Sequence, residues 1–157
     1  MIFNLRLSCK DLKELKNTKL DNLNIPFSNI SYFANLLGAE KYTLKDIPIT
    51  SLCQGHFLLN SLPSVNFSVS GKRDINEGIQ LRLPPEFFES SEEYDVIINC
   101  DSLTEIGIDY AREYMNQIAA RAKYFLSINH EGNEFTIREL AMEFSEMNLI
   151  YRGRSWV

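Results

Sequence analysis

The sequence has no long apolar run, no excess of basic residues and no metal-binding motif. No window of about 18 consecutive apolar residues occurs, so no transmembrane helix is expected. The apolar patch at the start is too short for a signal peptide and lacks a small-residue cleavage site. The net charge of −5 leaves no basic stripe to neutralise phosphates, which argues against nucleic acid as a partner. The sequence contains neither CxxC nor HxxxH spacing, so no metal site is predicted.

Cysteine is scarce, and its placement bears on the cellular compartment. Cys9, Cys53 and Cys100 are odd in number, far apart and each set among apolar residues. This pattern predicts buried free thiols rather than disulfides. Free thiols persist in a reducing environment, so we expect a cytoplasmic protein.

The composition is that of an ordinary globular protein. The chain has 157 residues, of which 45% are hydrophobic and 24% are charged. This length is sufficient for one domain with a substantial core. We see no internal repeat, low-complexity tract or linker, so residues 1–157 are interpreted as a single domain.

The second half of the chain alternates strand and helix patterns. Val96, Ile97 and Ile98 form a near-continuous apolar run, which is typical of a strand covered on both faces. A helical apolar stripe follows from Thr104 to Ala122, and "KYFLSI" is the next candidate strand. Capping-box spacing predicts two further helices, one opened by Ser51 with Gln54 and the other by Thr136 with Glu139. The alternation predicts an α/β fold with a mostly parallel sheet and helices on both faces.

Polar side chains cluster at the ends of the predicted strands. The first strand ends in Asn99, Asp101, Ser102, Thr104 and Glu105, the second in Ser127, Asn129, His130 and Glu131, and a third strand in Asp46. Ligands of open parallel sheets bind outside the carboxyl ends of the strands. Neighbouring strands lie about 4.8 Å apart, so these groups are expected to converge on one small molecule.

Within this cluster, His130 is the candidate general base. An unperturbed histidine titrates near neutral pH and can accept a proton from a hydroxyl, with Glu131 or Glu105 to orient it. The alternative is a strand-end histidine bonded to the backbone.

The other polar residues of the cluster also have two interpretations. Asp101 and Glu105 can hold ligand hydroxyls, whereas Asp101 or Ser102 can instead cap the following helix. Tyr110 and Tyr114 can line a sugar pocket or simply pack on their helix face.

Several stretches carry a family resemblance. They are "SYFANLLGAEKYTLKDIP", "DVIINCDSLTEIG" and "AKYFLSINHEGNEFT", followed by "YRGRSWV", and they span residues 29–157 in order. The chain resembles the class I S-adenosylmethionine-dependent methyltransferases, most closely the sugar O-methyltransferases. The resemblance implies a Rossmann-like sheet, S-adenosylmethionine as cofactor and a sugar hydroxyl of a small molecule or glycan as acceptor.

The resemblance also assigns roles to residues. Asp46 matches the acidic residue that holds the ribose hydroxyls of the cofactor, a task for which a carboxylate is suited because it accepts two hydrogen bonds. The loop from Asn99 through Asp101 and Ser102 to Glu105 matches the one that faces cofactor and acceptor. Asn129 to Glu131 match the loop that borders the acceptor pocket.

One stretch departs from the family pattern. Asp21 to Asn29 match the glycine-rich cofactor turn but contain no glycine, and Pro26 lacks an N–H donor. The N-terminal part is therefore altered or missing relative to the family. A catalytically inactive binding or assembly module is the alternative function. A nicotinamide enzyme is a third, which the absence of GxGxxG disfavours.

Overall fold

The computed structural model describes residues 1–4, 18–23 and 29–153, which form one eight-stranded sheet with five helices. The strands are β1 (Ile2–Asn4), β2 (Lys19–Leu23), β3 (Lys41–Lys45), β4 (Phe67–Val69), β5 (Gly78–Arg82), β6 (Tyr94–Cys100), β7 (Ala122–Ile128) and β8 (Asn148–Tyr151). The helices are α1 (Asn29–Leu36), α2 (Pro48–Ser61), α3 (Pro85–Glu89), α4 (Ile108–Arg121) and α5 (Ile137–Ala141). In this part of the chain, no helix is both long and apolar enough to span a membrane.

The strand order is β4-β5-β3-β2-β6-β7-β1-β8. Six adjacent strands, β4-β5-β3-β2-β6-β7, are parallel. By contrast, β1 pairs antiparallel with both β7 and β8. The predicted α/β fold with a mostly parallel sheet is therefore confirmed. The chain moves outward from β2 through β3 in one direction, and through β6 and β7 in the other. The order thus reverses between β2 and β6, the place where open α/β sheets bind ligands.

Helices cover both faces of the sheet, as predicted. Neighbouring residues of a strand point to opposite faces. Val96 packs against the core cluster that contains Ala34 of α1 and Leu58 of α2. Ile97 belongs to a second cluster, which includes Met115 of α4. The two helix groups therefore lie on opposite sides of β6.

The two predicted capping boxes had different outcomes. At α5, Thr136 Oγ1 accepts a hydrogen bond from the Glu139 N–H at 3.2 Å, and the Glu139 carboxylate accepts one from the Thr136 N–H at 2.8 Å. This box is confirmed. The box at Ser51 was wrong, because α2 already begins at Pro48. Proline is favoured in the first turn of a helix, where its missing N–H leaves no intrahelical bond unmade.

The helix after β6 begins at Ile108 rather than at Thr104. Gly107, with φ +85°, is its N-cap residue, so the capping role that we considered for Asp101 or Ser102 belongs to a glycine. Residues 101–107 instead form an irregular turn above β6. This turn provides part of the site described below.

Two further predictions concern the glycine-free stretch and the cysteines. Within the glycine-free stretch, Asp21 to Leu23 complete β2, while residues 24–28, including Pro26, lie outside the described residues. Cys9 also lies outside them. Cys53 is a free thiol but is exposed, so the prediction of its burial was wrong. It lies on the outer side of α2. Cys100 is half-buried, and burial raises its pKa.

Candidate functional site

A cleft of about 440 Å³ opens at the carboxyl edge of the sheet. Its lining residues are Lys45, Ile47, Pro84, Ser102, Leu103, Ile106, Tyr110 and Tyr114. They come from the ends of β3, β5 and β6 and from the start of α4, so the cleft lies over the point where the strand order reverses. Its volume falls in the range of about 300–1,000 Å³ that small-molecule sites occupy.

The walls of the cleft are mostly apolar, with two tyrosines on successive turns of α4. Tyr114 stacks on Phe87 of α3 with ring centroids 5.4 Å apart, so its ring is held in place by the core. Tyr110, one turn earlier, is 67% exposed. For Tyr114, both interpretations from the sequence hold, because it packs on α3 and lines the cleft.

The floor of the cleft contains a buried cation. Lys45 is 3% exposed, and its Nζ donates to Asp21 Oδ1 at 2.7 Å and to the Tyr94 hydroxyl at 3.1 Å. Nζ also lies 5.2 Å from the centroid of the Phe87 ring. Burial lowers the pKa of Lys45 more than the Asp21 carboxylate raises it. Sequence reasoning missed this residue.

Lys45 was missed because of the alternation in "KYTLK". Tyr42 and Leu44 point to one face and Lys41 and Lys45 to the other, a pattern that is typical of a strand with one solvent-exposed face. In the structure both lysines are buried, and Lys41 donates to Glu92 at 2.6 Å. The segment that joins β5 to β6 supplies Glu92 and Phe87 and covers this polar face. The sequence alone gives no sign of that cover.

The ends of β6 and β7 are joined by amide and hydroxyl groups, as the polar clustering suggested. Asn129 Nδ2 donates to Asn99 Oδ1 at 2.6 Å and to Ser127 Oγ at 2.9 Å. Asn99 Nδ2 donates to Ser102 Oγ, and the Ser102 N–H donates to Asn129 Oδ1 at 3.2 Å. Of the seven predicted site residues, all within the described part of the chain, Ser102 lines the cleft and the other six lie outside its lining. Asn99 holds the Ser102 side chain through a hydrogen bond but does not itself line the cleft.

Asp46 is 2% exposed and is engaged with the first turns of α2. Its Oδ1 accepts from the Ile47 N–H at 2.7 Å, and its Oδ2 accepts from Gln54 Nε2 at 3.0 Å. Burial raises the pKa of Asp46, against the opposing effect of these hydrogen bonds. Both carboxylate oxygens thus serve the structure of α2. The ribose-binding role of Asp46 stays a prediction.

The three predicted catalytic residues lie near the same edge, but they have different neighbours. His130 Nε2 is 3.7 Å from Asp101 Oδ1, and the histidine side chain is 68% exposed. Glu131 forms an ion pair with Arg152 at 2.7 Å, and Glu105 is exposed on the turn before α4. The carboxylate that faces His130 is therefore Asp101, not Glu131 or Glu105.

The backbone of Asp101 is unusual and explains this pairing. Its φ is +47°, in the left-handed region that residues other than glycine adopt uncommonly. Its N–H donates to the Ile128 carbonyl at 2.8 Å, which ties the turn after β6 to the end of β7. The turn thereby brings the Asp101 carboxylate towards His130, which follows β7.

In residues 1–4, 18–23 and 29–153, no three His, Cys, Asp or Glu side chains are grouped so that they could hold a metal ion. No protein-family model, curated protein sequence or solved structure gives a significant match to this chain.

Proposed function

We propose that this protein is an O-methyltransferase that binds S-adenosylmethionine in the carboxyl-edge cleft and methylates a sugar hydroxyl. The observation that carries the proposal is the position of the cleft, over the reversal of strand order and beside polar strand ends. The acceptor is a small-molecule sugar or a glycan, and the compartment is the reducing cytoplasm. The exposed Cys53 thiol is compatible with that compartment.

The lining of the cleft suits this cofactor in size and chemistry. Leu103 and Ile106 offer apolar surface to a purine ring, and Tyr110 and Tyr114 offer aromatic faces that attract a cationic group such as a sulfonium. Ser102 offers a hydroxyl to polar groups of the ligand. The Lys45 cation at the floor of the cleft is already paired with Asp21, so recognition of the cofactor falls to the apolar and aromatic walls and to Ser102.

When bound, S-adenosylmethionine supplies a methyl group that is already activated, so alignment and proton removal are left to the protein. His130 would accept the proton of the sugar hydroxyl. The Asp101 carboxylate lies 3.7 Å from His130 Nε2, where it favours the positive charge that the ring acquires with the proton. The exposure of His130 leaves room for an acceptor that arrives from solvent.

Calorimetry with S-adenosylhomocysteine tests cofactor binding. Wild-type protein should bind, and Tyr110→Ala should weaken binding about tenfold, a loss of about 1.4 kcal/mol. Tyr151→Ala is the matched control, because Tyr151 on β8 is 61% exposed and lies outside the cleft lining. A wild-type protein that gives no heat and no thermal protection with this ligand would refute the proposal.

The alternative, a catalytically inactive binding or assembly module, is favoured by one observation. Both carboxylate oxygens of Asp46 are engaged with α2, so the matching ribose-binding position is occupied by internal hydrogen bonds. A methyl-labelled cofactor, incubated with a panel of sugars and followed by mass spectrometry, separates the two functions. Calorimetric binding without any labelled sugar product would favour the inactive module.

A further inference from the structure

Exposed apolar side chains are concentrated on α1 and α2. We name this surface the α1–α2 face; its members are Phe33, Leu36, Leu37, Ile49, Leu52, Phe57 and Leu59. Each is between 39% and 69% exposed. Single exposed apolar residues are ordinary, but six on two neighbouring helices, together with Leu37 directly after α1, need a physical reason.

The two helices also carry no charge. Their sequences, NISYFANL and PITSLCQGHFLLNS, contain no Asp, Glu, Lys or Arg. By contrast, α4 on the opposite face of the sheet carries Asp109, Arg112 and Glu113. The outer side of a helix that faces only water normally carries such residues. The sequence of α1 and α2 is that of helices covered on both sides.

The α1–α2 face is continuous and large. Both helices contribute to one core cluster on the same side of the sheet, and the Tyr32 ring of α1 contacts the Phe57 ring of α2 at a centroid distance of 6.1 Å. The seven exposed fractions correspond to roughly 700 Å² of apolar surface, above the about 300–600 Å² of the largest patch on a typical monomer. This area is close to the about 800 Å² that each partner buries in a standard interface.

We propose that the α1–α2 face is the interface of a homodimer. In a two-fold dimer the same surface occurs on both sides, so a surface with charges of one sign would meet the same sign on its partner. The chain carries a net charge of −5, and a charge-free face is where two copies can meet with least repulsion. A lipid surface fits less well, because helices that bind membranes carry Lys and Arg around their apolar stripe, and these two have none.

Sedimentation equilibrium tests the dimer directly. Wild-type protein should show a concentration-dependent mass that approaches twice the monomer mass of 18.1 kDa. Leu52→Glu and Phe33→Glu each place two carboxylates in the dimer interface, and each should weaken dimerisation at least tenfold. Met142→Glu is the matched control, because Met142 is 77% exposed and lies at the end of α5 on the opposite face.

The outcomes are distinct. Circular dichroism should show the same helix content in all three variants, because each substituted side chain is exposed. A wild-type protein that remains monomeric at high concentration overturns the proposal. A monomer that co-sediments with phosphatidylcholine vesicles, and loses this binding with Leu52→Glu, overturns it in favour of a lipid surface.

Discussion

At the scale of single residues, the site contains one histidine with a carboxylate neighbour and another histidine without a proposed role. His130 faces Asp101, whereas His56 is exposed on α2. His130→Gln should lower the rate of methyl transfer about 10²–10⁴-fold, the usual contribution of a general base. The dissociation constant for S-adenosylhomocysteine should not change, because the proposed role begins only with the acceptor.

His56→Gln serves as the control for that experiment, since the chain contains two histidines. It should leave both the rate and the dissociation constant at wild-type values. Equal loss of activity in the two variants, or an active His130→Gln, would exclude His130 as the base.

Asp46 provides a pH-dependent prediction of stability. Folding raises its pKa above the ordinary value of 3.8, chiefly through burial. An acid with a raised folded pKa binds its proton more tightly in the native state. Its contribution to stability is therefore largest below 3.8 and declines as the pH rises through the folded pKa.

Asp46→Asn removes this titration while it retains an oxygen that can accept from the Ile47 N–H. Urea unfolding of both proteins at acid and neutral pH should show wild type gaining stability relative to Asp46→Asn as the pH falls. The difference isolates Asp46, because the other carboxylates are shared by both proteins. A wild-type protein that instead gains stability relative to Asp46→Asn as the pH rises would contradict the assigned burial effect.

At the scale of elements, local patterns predicted most strands and helices correctly. The strands predicted at Val96–Ile98 and at "KYFLSI" are present as β6 and β7, and the capping box at Thr136 opens α5 as predicted. These features depend on residues close in sequence. One missed element is β1, a three-residue strand inserted between β7 and β8. Its partners are more than 100 residues away, and no local pattern in so short a segment indicates such pairing.

The site was partly predictable for the same reason. That polar residues gather at strand ends can be read from the chain, and Ser102 and Tyr114 do line the cleft. The burial of Lys45 and the approach of Asp101 to His130 depend instead on how separate segments pack. Those contacts are set by the whole fold and not by spacing.

The start of β5 supplies a prediction at this scale. Gly78, with φ +104°, donates its N–H to the Glu40 carbonyl at 2.8 Å, and a Cβ there would overlap the backbone oxygen of Asn66. Gly78→Ala should cost about 1–2 kcal/mol for the backbone conformation, and about 1–3 kcal/mol more for the overlap. Urea unfolding measures the sum.

Gly71 is the matched control, because its φ of +76° carries the same conformational cost, while among the described residues a Cβ there meets no atom within 4 Å. Gly71→Ala should therefore cost only about 1–2 kcal/mol. If the two alanine variants are equally stable, the strand junction is looser than the structure indicates.

At the scale of the whole molecule, one buried cluster connects elements from both sides of the strand reversal. Lys45 of β3 contacts Asp21 of β2 and Tyr94 of β6. Phe87 of α3 lies between Lys45 and Arg121 of α4, whose guanidinium carbon is 4.2 Å from the ring centroid. Five elements therefore meet at charged groups beneath the cleft.

Lys45→Met should be among the most destabilising substitutions in the chain. Methionine retains the volume of the side chain but removes the cation that faces Asp21, which is 0% exposed. Removing one partner of a buried ion pair typically costs about 3–5 kcal/mol, because the remaining charge stays buried. Asp21→Asn in the same chain should recover a large part of that loss, since the buried carboxylate is then removed as well.

Lys123→Met is the control, because the Lys123 side chain is 53% exposed and pairs with Asp95 at the surface. Exposed pairs contribute about 0–1 kcal/mol, so this variant should unfold near the wild-type urea concentration. A Lys45→Met protein as stable as Lys123→Met at neutral pH would contradict the burial and pairing assigned to Lys45 and Asp21.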